Sequence, residues 1–113
     1  MPSKADPAAA RLRAAAAALL HRVEHWTQPR WRQPAAGDAG RSRADEVHGL
    51  VQRLADLTAV AEGRSSLPVP RLANDLALPD QVRVMVADLG LAGADAQTLL
   101  TAADDIIATA NWL

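Results

Sequence analysis

Residues 42–63 read SRADEVHGLVQRLADLTAVAEG, and this stretch decides the fold. Val47, Leu50, Leu54, Leu57 and Ala61 recur at alternating spacings of three and four. That rhythm places apolar side chains along one side of an α-helix, and a side so formed has to leave water. The ends of the stretch agree with its middle. Ser42 is a good N-cap, and Asp45 and Glu46 follow it where the positive end of a helix favours negative charge. Gly63 stands where a helix ends in a left-handed residue.

Three further stripes share the period. Leu12, Ala16, Leu19, Val23 and Trp26 form one; Val82, Met85, Val86 and Leu89 form a shorter one; Leu99, Ala103, Ile106, Ala110 and Leu113 form the last. The spacing predicts a first helix from Pro7 to about Thr27, stopped by Pro29, with Asp6 as its cap and residues 1–5 frayed. A third helix is expected from Pro79, although Val82, Val84 and Val86 also alternate as a strand would. No second convincing strand exists to pair with them, so helix is preferred. Asp95 is expected to open a fourth helix that runs to about Trp112. The resulting fold class is all-α: an antiparallel bundle of four main helices plus one short helical turn between Arg71 and Leu78, with Leu72 and Leu76 facing inward. Residues 28–42 and 63–70 are read as loops, and the 113 residues as a single domain. Trp112 is expected to cover one end of the bundle, near Trp26 and Trp31.

Composition narrows the chemistry. Half of the residues are apolar, yet there is no Phe and no Tyr, so the core must be built from Leu, Val and Ala. Lys4 is the one lysine beside eleven arginines, a bias that with so much Ala suggests a GC-rich bacterial genome. The absence of cysteine removes disulfides, thiol nucleophiles and cysteine-based metal sites, and suits a cytoplasmic protein. The longest apolar run, Ala14 to Leu20, is far too short to span a bilayer. It reads as the middle of a helix rather than as a signal peptide.

A net charge of −1 predicts neither a nucleic-acid nor a membrane partner for the chain as a whole. The distribution is uneven. Residues 1–43 hold eight basic residues against three acidic ones, whereas residues 44–113 hold four against ten. Such halves can attract each other within one fold or between two copies of the chain.

Three constellations bear on function. The first is His21-Arg22-Val23-Glu24-His25, which matches the H-x-x-E-H string of one class of zinc peptidases. Residues four apart lie one helical turn apart, so His21 and His25 could share a metal, with Glu24 as a base towards bound water. A third ligand would have to come from His48, Glu46, Glu62 or an aspartate, and nothing else here looks like a peptidase. The polar side of a helix is the preferred reading, and no metal or other cofactor is expected. The second constellation is Trp26, Arg30, Trp31 and Arg32, with Arg41 and Arg43 nearby. Indoles and guanidinium groups bring large area or planar donors at modest entropic cost, as interface anchors do. The same mixture could stack on bases and hold phosphates, or Trp26 and Trp31 could simply cap the end of the bundle with Arg30 and Arg32 in water. The third is acidic: Asp75, Asp80, Asp88, Asp95, Asp104 and Asp105 populate the C-terminal half and read as a solvated side. No nucleophile elbow, Walker loop or dinucleotide-binding fingerprint occurs.

The expectation is therefore a small non-enzymatic interaction module. It binds a protein partner or itself through Trp26, Arg30, Trp31, Arg32, Arg41 and Arg43. A nucleic-acid-associated regulator using the basic N-terminal half is the alternative, and a zinc-binding protein built on His21, Glu24 and His25 is the second.

Overall fold

The computed structural model describes residues 5–36 and 38–113. The first four residues, and with them Lys4, lie outside the described residues, as does Gly37. The chain is predominantly helical. Its elements in order are α1 (Ala5–Val23), α2 (Gln28–Arg32), β1 (Pro34–Ala35), β2 (Asp38–Ser42), α3 (Arg43–Ala61), a 3₁₀ turn (Asp75–Ala77), α4 (Leu78–Leu91) and α5 (Ala96–Asn111). The four long helices are those announced by the four stripes.

The stripes also form the core. Leu12, Ala16, Leu19, Val23 and Trp26 are buried, as are Val47, Leu50 and Leu54, Val82 and Leu89, and Leu99, Ala103, Ile106 and Leu113. Each fully buried Leu, Val or Ile removes enough apolar surface from water to contribute about 1.5–3 kcal/mol. Leu57, Met85, Val86 and Ala110 are half-buried against this cluster. α1 runs along α5 for most of its length and meets α4 much less. Small residues explain the closeness of the first pair. Ala8, Ala15 and Ala16 on α1 and Ala102 and Ala103 on α5 are all buried, and such side chains let two backbones approach.

Helix ends follow local chemistry. The Asp45 N–H donates to Ser42 Oγ at 3.0 Å and the Ser42 N–H donates to Asp45 Oδ2 at 2.9 Å, a reciprocal capping box that starts α3. At its other end Gly63 adopts φ +68°, the Gly63 N–H donates to Val60 O and the Arg64 N–H to Ala59 O. That is the paired closure of a Schellman motif, and it needs the left-handed residue. α5 opens on Asp95, whose carboxylate accepts from the Thr98 N–H at 2.8 Å. α4 opens on Ala77, with no side-chain cap.

Three expectations are corrected. α1 stops at Val23 rather than at Thr27, and Pro29 opens a second helix instead of stopping the first. A proline in the first helical turn loses no hydrogen bond, so the same residue serves either purpose. Residues 28–42 are not a loop: α2 is followed by a two-stranded antiparallel hairpin that pairs Pro34 with Ser42 and Ala35 with Asp38. Leu72 and Leu76 face outward, 44% and 49% exposed, because only the single turn Asp75–Ala77 is helical there and it is Leu78 that enters the core. The segment at 64–74 is otherwise extended, held to α3 by Gln52, which donates to Leu67 O and accepts from the Val69 N–H. His48 Nε2 lies 3.1 Å from Val69 O on the same seam.

Candidate interaction surfaces

The Trp and Arg corner forms where α1 ends. Trp26 turns inward after the Trp26 N–H donates to Val23 O, and Trp31 is carried in from α2. The two rings meet edge to face, with centroids 4.9 Å apart and planes inclined by 68°. Such pairs contribute about 0.5–1.5 kcal/mol beyond the area they bury. Trp26 is nearly buried and Trp31 completely so. The reading of these indoles as anchors held out to a partner is therefore corrected: the core needs their volume, since the chain has no other large ring except Trp112.

The arginines around them are mostly engaged. The guanidinium carbons of Arg30 and Arg43 lie 5.1 and 5.0 Å from the Trp26 centroid, within cation–π range. Arg43 also donates from Nη1 to Gln33 Oε1 and from Nε to the main-chain oxygen of Leu113. Arg22 donates to Ala110 O. Two cations thus gather at the C-terminal end of α5, where the negative end of the helix dipole favours them. Arg41 bonds Glu46 at 2.7 Å and the carbonyl of Asp45 at 3.1 Å. Arg30 and Arg32 remain exposed on α2. The Trp112 backbone joins this corner, since its carbonyl accepts from the Ala36 N–H, while its indole is 53% exposed and covers little.

The histidine string is opened out. His21 and His25 are exposed, and His25 Nε2 lies 3.5 Å from Glu24 Oε1. Glu24 also accepts from Arg83 on α4 at 3.1 Å. His48 faces Val69 instead. Among the described residues no three His, Cys, Asp or Glu side chains gather as a metal site would require. The acidic residues are dispersed in the same way: Asp104 pairs with Arg11, Asp105 with Arg53, Asp80 with Arg83 and Asp75 with Arg71. Hydrogen bonding holds two carboxyls below the ordinary value of 3.8. Asp45 is lowered chiefly by the Ser42 N–H and further by Arg71, and Asp95 by the Thr98 N–H. Both belong to helix caps.

Hollows interrupt the surface of the described residues, and two of them bear on binding. Between α3 and α5 lies one of about 300 Å³ around Leu57, Val60 and Thr101. Arg53 straddles it, donating to both oxygens of Asp105 at 2.7 and 2.9 Å. The other, about 470 Å³, opens between α1 and α4. Ala9, Leu12 and Arg13 line it from α1; Val86, Ala87, Gly90 and Leu91 line it from α4. Its floor and far wall are apolar, and a Cβ built on Gly90 would touch nothing within 4 Å. Along its outer lip Leu91 is 87% exposed, and Val84, two turns earlier on α4, is 52% exposed. Periodicity alone does not reveal this groove, because Val82, Val84 and Val86 are alike in sequence and differ only in which way α4 turns them.

Compared with known proteins, the chain matches no protein-family model, no curated protein and no solved structure. Among the described residues no helix is long and apolar enough to cross a membrane.

Proposed function

We propose that this chain is an interaction module rather than a catalyst, and that its docking surface is the α1–α4 groove. The observation that carries the reading is the open apolar channel whose lip exposes Leu91 almost completely. Exposed apolar surface of this kind is costly to keep in water unless something covers it, and a channel between two splayed helices suits a helix laid into it. The Trp and Arg corner has a different part in this reading: its indoles hold the bundle end together, and Arg30 and Arg32 are cations on its rim. A cytoplasmic setting, to which a cysteine-free chain is suited, belongs to the same proposal.

Site-specific photo-crosslinking in cells tests it. A photoreactive residue at position 91 is expected to capture a protein, while the same residue at Ala108, exposed on α5, captures none. Equal capture at the two positions, or none at either, removes the groove from consideration.

A further inference from the structure

We infer that what covers the exposed apolar stripe along the lip of the α1–α4 groove is a second copy of this chain, placed by a twofold axis running along α4. This rests on the reading of the groove as a docking surface and adds the identity of what docks.

The argument starts from the helix surface. Val84, Ala87 and Leu91 stand at i, i+3 and i+7 and form the outward apolar stripe of α4. Each residue advances by about 100° around a helix. Asp88 therefore stands about 60° round from Leu91 on the flank away from α1, and Gly90 about 100° round on the flank towards it. Arg13 lines that second flank from α1. The apolar stripe thus runs between a cation on one side and a carboxylate on the other.

Those two charges are distinctive. Most exposed charges of this molecule are matched internally, including Arg11 with Asp104, Arg53 with Asp105 and Arg83 with both Asp80 and Glu24. Arg13 and Asp88 have no ion pair or hydrogen bond to any described residue, although both are exposed beside the groove.

A twofold axis along the stripe exchanges its two flanks and keeps position along the helix. It lays α4 beside α4 in parallel and brings Arg13 of each copy against Asp88 of the other. Both pairs form at once, as an isologous interface requires. The same operation sets Leu91 of one copy against Leu91 of the other across the axis. An axis perpendicular to α4 would instead set Arg13 beside Arg13 and Asp88 beside Asp88. The surface supplies its own complement in one of the two arrangements and repels itself in the other, which is how charge selects register.

Light scattering on the full chain across a concentration series tests the inference. The mass is expected to rise from the 11.9 kDa of one chain to twice that. Arg13→Asp and Asp88→Arg each turn two attractions into two repulsions and are expected to weaken the pairing by about tenfold or more. Mixing the two variants restores both pairs, so the mixture is expected to regain the doubled mass at concentrations where neither variant does alone. Both residues are exposed, and an unchanged helical signal and melting temperature in dilute solution verify that each variant is folded. A single-chain mass at every concentration overturns the inference, and so does a dimer that ignores either reversal or a mixture that fails to recover. If the chain stays single while position 91 crosslinks to a different protein, the second copy is wrong and the docking surface stands; if position 91 captures nothing, both fall.

Discussion

α1 has two neighbours and treats them differently. Against α5 it is closed: Ala8, Leu12, Ala15, Leu19 and Val23 are buried with Leu99, Ala102, Ala103 and Ile106 beneath them. Against α4 it is open, with a hollow of about 470 Å³ floored by Leu12. Size alone does not separate the two, since Gly90 on α4 is smaller than any residue of the closed seam. What separates them is matching. Alanines on α1 face alanines on α5, and the larger Leu and Ile between them fill what the alanines leave. On α4 the small residue faces outward across the gap, and the large residue beside it, Leu91, points to solvent. A small side chain closes an interface only where its neighbours fill the space it leaves.

The comparison is open to attack at both seams. The largest effect is expected from Ile106→Ala, which empties a fully buried site in the closed seam and should cost about 2–5 kcal/mol, read from urea unfolding. Leu91→Ala on the open seam removes as many carbons but almost none from the core, and is expected to stay within about 0.5 kcal/mol in dilute solution. Equal losses would mean that the groove is closed in solution. Gly90→Ala, where the added Cβ meets nothing, is expected to gain up to about 0.5–1 kcal/mol from helix propensity. A loss there would again mean that the gap is occupied.

Acid sharpens the contrast from another direction. α5 begins on Asp95 and α3 on the box of Ser42 and Asp45, whereas α4 has no side-chain cap. The carboxyls of Asp95 and Asp45 are held below 3.8 in the fold. A depressed folded value means that the native state binds these protons less readily than the unfolded chain. Their contribution is therefore present above the ordinary carboxylate value and lost as pH falls through the lower folded one. Urea midpoints followed downward from about pH 5 should decline, and Asp95→Asn should shallow that decline. Amide exchange should show α5 loosening from its first turn, with α4 unaffected at its start.

Much of this architecture could be read from residues alone. The four stripes named the long helices and most of their large buried side chains, though not Val51, Leu78 or the buried alanines Ala8, Ala15, Ala44, Ala59 and Ala102, and Ser42, Asp45, Gly63 and Asp95 marked ends that the fold uses. Each such signal spans several turns or is a local chemical device. Residues 24–42 were opaque for the opposite reason. A five-residue helix and a hairpin with two-residue β1 are too short to display a period, and Pro29 is as suited to opening a helix as to ending one. Trp26 and Trp31 were recognised as belonging together, but their burial depends on how α2 folds back over α3. The groove was invisible altogether. It lies between two helices whose sequences are each ordinary.

The closed seam joins the helix that comes first along this sequence to the one that comes last. α1 cannot find its companion until α5 has been made, and contacts of such long sequence separation are slow to close. Its outward side mixes alanine with Arg11, Arg13, His21 and Arg22, and much of its inner one is alanine, a poor substrate for unwanted adhesion compared with leucine or phenylalanine. The composition that permits tight docking once α5 exists also lets the segment pass through the interval before it with little to stick by.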